Sequence, residues 1–353
     1  AVKLAREFGP GEVRFSKSSG ELGRLLTVRR RFEEAEKLLQ EELSLINLAY
    51  DGDKSKMVKA MGSMVSFYLN YGTAEKAYPL AEELVDFIEG KIREQRSQKS
   101  KTVTLKAGAP LQAWAGMAKP EDRDPLLEWS IVLDDLGYKF RVRNELDMAD
   151  RLFKAALDIK ATVLGKKHLS LANSYDNLGT VCMTRKDYKE AESYYKDALR
   201  ITERILNPGD PKIWDRIYKL AWCYQSAKKY PEAITLYQRA RQEFGGNLGI
   251  EQNVLYKLGC IYSDQRNFGA ATPVLRQALN LAIKNNGYQS INIVPYLKKY
   301  AYVSYYNGNR GKTDELRARA DNIEPVVKAL TPSVEMKAGS WSDKDNDKKT
   351  KSN

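Results

Sequence analysis

Few residues of this chain carry side chains suited to covalent or acid–base chemistry. The one histidine is His168, and the three cysteines are Cys182, Cys223 and Cys260. His168 follows a Leu-Gly-Lys-Lys stretch of the kind that connects helices, and each cysteine falls in a different helical segment. Along the chain these residues are too sparse for a structural zinc site. The sequence predicts a structural histidine and small buried thiols, with no catalytic residue, no metal and no cofactor.

Two other patterns resemble functional motifs and are given structural interpretations. Gly308, Gly311, Lys312 and Thr313 are the residue types of a phosphate-binding loop. Only two residues separate the glycines where four are required, and no strand precedes them. This stretch is predicted to be a turn between helices. Adjacent carboxylates such as Asp134 and Asp135 are predicted to lie on solvated helix faces.

The residues that organise the chain form a repeated pattern. Tyr175-x-x-Leu178-Gly179-x-x-Cys182 is followed by Ala191-x-x-x-Tyr195-x-x-Ala198, and the same pattern returns 42 residues later, from Ile217 to Ala240. Large apolar residues three or four positions apart, with small residues between them, predict two short helices packed as a hairpin. Weaker copies extend the pattern in both directions. Seven hairpins are predicted, starting at Ser16, Val58, Ser130, Ala172, Trp214, Gln252 and Val294.

This pattern is similar to the tetratricopeptide repeat. The blocks Leu164-Gly165-Lys-Lys-His168 and Tyr188-x-Glu190-Ala191 resemble the longer repeats of the kinesin light chain type, and this closer match covers about Leu146 to Ala240. The resemblance implies an all-α fold, a right-handed superhelical solenoid of antiparallel helix pairs. It does not extend to the motor-binding coiled coil of kinesin light chains.

The resemblance also implies a concave groove lined by the first helix of each hairpin. Lysines in register, interleaved with aromatic residues, predict a basic trough, and asparagine amides are suited to gripping an extended peptide backbone. The predicted peptide-binding residues are Asn173, Asn177, Tyr218, Lys219, Trp222, Asn253, Tyr256, Lys257, Lys298, Lys299 and Tyr302.

The function predicted from these residues is a non-catalytic interaction scaffold that binds an extended, acidic peptide of another protein. The formal net charge of +12 also permits nucleic-acid binding, and this alternative stays open beside a purely structural or self-assembling repeat protein. The sequence does not determine the identity of the partner or the oligomeric state.

Composition shifts predict where the repeats stop. Residues 1–15 are an N-terminal segment, 16–92 hold two divergent repeats, and 128–330 hold five further repeats. A basic stretch with Pro, Gly and Ser at 93–127 is predicted to be a loop or linker, and 331–353 a disordered polar tail.

Apolar runs are far shorter than the roughly 20 residues of a membrane helix. Unpaired cysteines favour a cytoplasmic location, although a chain that begins without Met can have lost a signal peptide.

Overall fold

The computed structural model describes residues 13–49, 54–71, 74–97 and 124–330. The regular secondary structure in these ranges is helical and consists of fourteen α-helices and one short 3-10 helix, Ile291–Ile293. In chain order the helices are α1 Val13–Val28, α2 Phe32–Ala49, α3 Lys54–Tyr71, α4 Ala74–Ser97, α5 Pro125–Val142, α6 Leu146–Leu164, α7 Leu169–Arg185, α8 Tyr188–Ile205, α9 Pro211–Ser226, α10 Tyr230–Phe244, α11 Leu248–Asp264, α12 Phe268–Asn286, α13 Val294–Tyr306 and α14 Arg310–Leu330.

These helices form seven antiparallel pairs, which confirms the predicted fold class. The chain divides into two compact units, Ala1–Glu243 and Phe244–Asn353. Unit 1 contains α1 to α10, with the last residue of α10 at the boundary, and unit 2 contains α11 to α14. Within each unit, neighbouring hairpins also pack on one another.

A small residue is buried at the same position of every hairpin, near the start of the second helix. Each of the seven is at most 1% exposed, so the two helices of a pair approach closely there. The predicted crossing positions Ala191 and Ala233 belong to this set. Its members are Ala35, Ala77, Ala149, Ala191, Ala233, Ala271 and Thr313.

The turn between the two helices of a hairpin also repeats. In six of the pairs one residue at the same offset has a positive φ, between 57° and 81°. This left-handed residue lets the backbone N–H of the next residue return to the end of the first helix, as when Asp187 N–H donates to the Cys182 carbonyl at 2.9 Å. The six residues are Arg30, Asn144, Lys186, Lys228, Arg266 and Gly308. The predicted turn at Gly308 is therefore confirmed.

Side-chain caps fix several helix starts. The Asp187 side chain accepts a hydrogen bond from the Glu190 N–H at 3.2 Å and so caps α8. His168 caps α7 through Nδ1, which accepts from the Ser170 N–H at 3.2 Å. Asp210 caps α9 in the same way. Pro231 lies in the first turn of α10, where its missing N–H costs no hydrogen bond.

A carboxylate–tyrosine–lysine contact joins neighbouring hairpins at two places in unit 1. A glutamate on a second helix accepts from a tyrosine hydroxyl on the next first helix, at 2.9 Å and 3.2 Å, and from a lysine at 2.8 Å in both copies. The two sets are Glu36 with Tyr68 and Lys76, and Glu192 with Tyr224 and Lys229.

One of the expected solvated carboxylates is instead part of a buried ion pair. The Lys160 side chain is 2% exposed, and its ammonium donates to Asp134 Oδ2 and, at 2.7 Å, to the Ser174 hydroxyl. The solvated-face prediction is therefore wrong for Asp134. Asp135 fits it better, with a side chain that is 56% exposed and paired with Lys139 one helical turn away.

The helices shift some predicted repeat boundaries. The first helix already begins at Val13, and α4 continues to Ser97, past the predicted end of the second repeat at 92. Since α5 begins at Pro125, helices occupy both ends of the predicted 93–127 linker. The rest of that linker, 98–123, and the predicted tail at 331–353 lie outside the described residues. In the parts of the chain that the structure describes, no helix has both the length and the apolarity to cross a membrane.

Candidate functional site

The predicted site residues all lie on first helices of hairpins, and none is fully buried. They divide between the two units, so each unit carries its own candidate surface. Asn173 and Asn177 on α7 lie in unit 1 with Tyr218, Lys219 and Trp222 on α9. Unit 2 has Asn253, Tyr256 and Lys257 on α11, and Lys298, Lys299 and Tyr302 on α13.

In unit 1 the candidate surface is organised by Arg216, whose side chain is only 7% exposed. Its guanidinium donates to Asp176 Oδ2, to Asp215 Oδ2 at 2.7 Å and to Asn173 Oδ1 at 2.5 Å. Burial raises the pKa of Asp176, although Arg216 and Lys219 both act to lower it. A buried arginine on α9 thus ties α7 to the next hairpin.

Lys219 belongs to the same network. Its ammonium contacts Asp176 Oδ2 at 2.7 Å and Asp215 Oδ2 at 2.8 Å. The two cations and two carboxylates balance, so this surface is more neutral than a row of lysines suggests. Asp215 is the accessible member, with a side chain that is 49% exposed, whereas that of Asp176 is 5% exposed.

The network also fixes the orientation of the Asn173 amide. Arginine has no acceptor, so the Asn173 atom that faces Arg216 is the carbonyl oxygen, and the amide NH2 is left to donate elsewhere. Asn173 is exposed. Asn177, one turn further along α7 on the same face, is half-buried.

The aromatic residues of unit 1 take part in packing. The Tyr218 ring lies 5.4 Å from Trp214 and 6.5 Å from Tyr237, between centroids. These distances are typical of favourable aromatic pairs, and the contact with Tyr237 joins α9 to α10. Trp222 is half-buried.

Unit 2 fixes its own asparagine by a different contact. Asn253 is exposed, and its Nδ2 donates to the Gly249 carbonyl at 2.9 Å, which defines the amide orientation. Its Oδ1 accepts from the Tyr296 hydroxyl at 3.1 Å. The Tyr256 ring lies 4.7 Å from that of Tyr296, so two aromatic residues support the amide.

The two lysines on α13 form ion pairs at different distances from their acidic neighbours. Lys298 pairs with Glu324 at 2.5 Å. The Lys299 ammonium is 3.6 Å from Asp264 Oδ1 and lies over the Tyr302 ring, 5.2 Å from its centroid. At 3.6 Å the ammonium and carboxylate do not form a good hydrogen bond, so Lys299 is held loosely.

An aromatic stripe continues from Tyr302 along α13. Tyr302, Tyr305 and Tyr306 are 42%, 48% and 52% exposed, and Phe268 stacks on Tyr306 at 5.1 Å. Arg317 lies over the Tyr305 ring at 5.8 Å. Exposed tyrosines beside arginine are enriched at protein interfaces, so this stripe extends the candidate surface of unit 2.

Sequence reasoning missed the two residues that orient the asparagines. Arg216 and Tyr296 both lie 43 residues after the asparagine that they contact. Aligning each first helix with the next one places the arginine or the tyrosine opposite the asparagine. This alignment is the sequence signal that could have found both contacts.

His168 and the three cysteines, the residues considered above for catalysis or metal binding, lie within helices or at a helix start. His168 is 2% exposed and caps a helix. All three cysteines are free thiols, with Cys182 and Cys223 buried and Cys260 half-buried. Among the residues that the structure describes, no group of three or more His, Cys, Asp or Glu side chains is placed to hold a metal ion.

The repeated hairpins and their first-helix surfaces define a helical-repeat protein. A tetratricopeptide repeat family model matches residues 139–204 and 178–242, and a second tetratricopeptide repeat model matches residues 252–284. The matched ranges, 139–242 and 252–284, are therefore tetratricopeptide repeats, and their pattern resembles that of the kinesin light chain type. Proteins of this repeat family are in general non-enzymatic interaction scaffolds.

Known proteins share parts of this architecture. The chain is 27% identical to nephrocystin-3 of Xenopus laevis over 99 residues, which are 28% of this chain and 8% of that protein. The match therefore spans a small fraction of that relative's length.

The chain also resembles solved structures, at sequence identities below 20% and TM-scores below 0.5. A putative kinesin light chain repeat structure from Podosopora anserina has a TM-score of 0.47 at 18% identity, covering 57% of this chain and 96% of that one. The apo form of RapI has a TM-score of 0.45 at 12% identity, covering 89% and 99%. The family assignment depends on the repeat models and the repeated hairpin, not on these structures.

Proposed function

We propose that this protein is an interaction scaffold that holds an extended, acidic segment of a partner protein on the first helices of its repeats. The observation that carries the proposal is the pair of exposed asparagines, Asn173 in unit 1 and Asn253 in unit 2. Each has its amide oxygen engaged by a residue of the next first helix.

Fixed amides suit an extended peptide because its backbone carbonyls need donors that are already oriented. Side chains ordered before binding lose less entropy when the ligand arrives, which favours affinity. The Asn173 amide keeps its NH2 group for such a carbonyl, and Asn253 keeps the second N–H of its amide. Asn177 adds a further amide on the same face of α7.

The preference for an acidic ligand is supported by the loosely held Lys299 in unit 2 and by the accessible ion pair of Lys219 with Asp215 in unit 1. In unit 2 a ligand carboxylate at Lys299 would compete only with Asp264 at 3.6 Å. In unit 1 it would replace the exposed Asp215 beside Lys219 while the buried Asp176 keeps its contacts with Arg216. Exchange of one carboxylate for another conserves charge, so acidic residues give selectivity more than raw affinity.

The test is binding of a peptide library, acidic and neutral at matched length, to the full chain and to two charge reversals. Lys299→Glu should lose binding to acidic peptides and keep binding to neutral ones. Lys284→Glu, an exposed lysine on the second helix α12, is the matched control and should bind as the unchanged protein does.

Two results would contradict the proposal. One is equal loss in both charge reversals, which would indicate a long-range effect of net charge. The other is binding of single-stranded nucleic acid in preference to every peptide, with affinity that falls steeply as salt rises.

A further inference from the structure

One cavity in unit 1 lies away from the predicted site residues. It has a volume of about 890 Å³ and opens between the first helices α1, α3 and α5, with α2 at its floor. Pockets for small ligands are typically about 300–1,000 Å³, so the size matches a drug-sized molecule. The family models match none of α1 to α4.

The walls of this cavity are mostly apolar. Phe67 and Tyr71 on α3 form one side, and Ile131 and Val132 on α5 form another. Gly62 belongs to the same lining, and a Cβ placed there would lie 2.5 Å from Val132 Cγ1. α3 and α5 therefore meet closely at the edge of the cavity, which defines a wall that a hydrocarbon or aromatic group can pack against.

Arg24, one of the cations in the cavity lining, forms hydrogen bonds through one edge of its guanidinium group. Arg24 is on α1 with a side chain that is 47% exposed. Its Nη1 makes two long contacts, to Glu42 Oε2 at 3.4 Å and to the Ser63 hydroxyl at 3.3 Å. Among the residues that the structure describes, no hydrogen bond or ion pair forms at Nε or Nη2, the edge that can bind a carboxylate through two parallel hydrogen bonds.

Glu42 holds Arg24 in place from below. Its side chain is 9% exposed and lies against Gly20, where a Cβ would be 1.9 Å from Oε1. Burial raises the pKa of Glu42. Glu42 and Arg24 both line the cavity, and the buried carboxyl contacts the guanidinium at its Nη1 atom.

We propose that this cavity binds a small amphiphilic carboxylic acid. The acid's carboxylate lies on the Nε–Nη2 edge of Arg24, and its apolar part fills the space between the α3 and α5 walls. The site lies in the N-terminal repeats and is independent of the peptide surface proposed above. A free acid is favoured over a protein segment because the cavity has the volume of a small-molecule pocket. The cations in its lining, Arg24, Lys56 and Lys59, also outnumber its carboxylates, Glu42 and Asp135.

The experiment is calorimetric titration of the full chain with dodecanoate, and with dodecanol and dodecylamine as head-group controls. Dodecanoate should bind at one site and at least about tenfold more tightly than either control, because a bidentate charge-assisted pair forms only with the acid. Arg24→Met should remove this preference and leave the weak binding of dodecanol unchanged. Arg29→Met changes an arginine in the turn directly after α1 that does not line the cavity, and it should behave as the unchanged protein.

A second variant separates loss of the cavity from loss of the charge. Ser63→Leu fills the cavity beside Arg24 and should reduce binding of both dodecanoate and dodecanol, at unchanged helicity by circular dichroism. Equal affinity for acid and alcohol, unchanged acid binding in Arg24→Met, or no binding at all would overturn the proposal. So would binding only of end-blocked peptides that pair a leucine with a glutamate, since the ligand would then be a protein segment.

Discussion

Gly179 lies directly against the ring of Tyr195, sixteen residues later on the second helix of the same hairpin. A Cβ on Gly179 would be 2.7 Å from Tyr195 Cε1, closer than carbon atoms normally approach. The same relation holds for Gly137 and Phe153 at 2.7 Å, and for Gly259 and Leu275 at 2.5 Å. The glycine of the repeat is therefore present because a bulky partner fills the space of its side chain.

Gly179→Ala should destabilise the protein by about 1–3 kcal/mol, because overpacking outweighs the roughly 0.5–1 kcal/mol that alanine gains over glycine inside a helix. Gly90→Ala is the matched control, since Gly90 lies within α4 and its Cβ would meet nothing within 4 Å. The control should raise the urea midpoint while Gly179→Ala lowers it. If both variants raise the midpoint, the close approach does not determine the choice of glycine.

The charge network of unit 1 predicts unequal costs for its two cations. Arg216→Met should cost about 3–5 kcal/mol, because the buried Asp176 loses its main partner. Lys219→Met should cost at most about 1 kcal/mol, because this lysine is partly exposed and Arg216 remains. Thermal unfolding of the two variants measures the difference. Equal losses would show that Arg216 is not the organising residue.

The repeated glutamate contacts predict an acid-sensitive stability. The hydrogen bond from Lys76 lowers the pKa of Glu36 below 4.5. For Glu192, burial acts to raise the pKa, but hydrogen bonds from Lys196 and Lys229 outweigh it and the pKa is lowered. A carboxyl whose folded pKa is depressed stabilises the fold above its unfolded pKa, and this contribution is lost as pH falls through the folded value.

We therefore expect unfolding free energy to decline below about pH 4.5, the ordinary carboxyl pKa. The variant Glu36→Gln/Glu192→Gln should be less stable at pH 7 and should show a shallower decline in acid. Glu33→Gln, an exposed glutamate on α2, is the control. A decline as steep in the double variant as in the unchanged protein would assign the acid sensitivity to other groups.

The buried thiols should resist alkylation in the native state. Burial raises the pKa of Cys182 to about 12 and that of Cys223 to about 11, so little thiolate is present at pH 8. Iodoacetamide followed by mass spectrometry should label both only after unfolding in urea. Rapid labelling of either thiol in the folded protein would contradict the packing of the first helices.

The sequence predicts the hairpin lattice well because its determinants are local. Alanines such as Ala191 and Ala233 recur at a fixed spacing, and helix packing demands small residues there. The partners of charged residues are harder to foresee. Lys219 sits where a groove lysine is expected, yet one of its carboxylates comes from Asp176, 43 residues earlier. Nothing in the local pattern of α9 distinguishes a paired lysine from a solvated one.

For the same reason, the cavity beside Arg24 was not predicted from the sequence. Its lining comes from four helices of three successive repeats, two of them divergent. The spacing of repeat positions along the sequence does not determine how deep a pocket between such helices is. Asp134 shows the converse case. Its buried partner Lys160 lies on the next helix, 26 residues away, so a carboxylate that looked solvated is half-buried and paired with a lysine of the packed interior.

Oriented asparagine amides are proposed to hold the extended peptide. The most direct measurement is the affinity of the best library peptide for Asn173→Ala and Asn253→Ala beside Asn280→Ala, an exposed asparagine on the second helix α12. Loss of one hydrogen bond is worth about 0.5–1.5 kcal/mol, or roughly two- to tenfold in Kd. At least one first-helix variant should weaken binding by this amount at unchanged melting temperature, with no change in Asn280→Ala. Unaltered affinity in both first-helix variants would contradict this proposal.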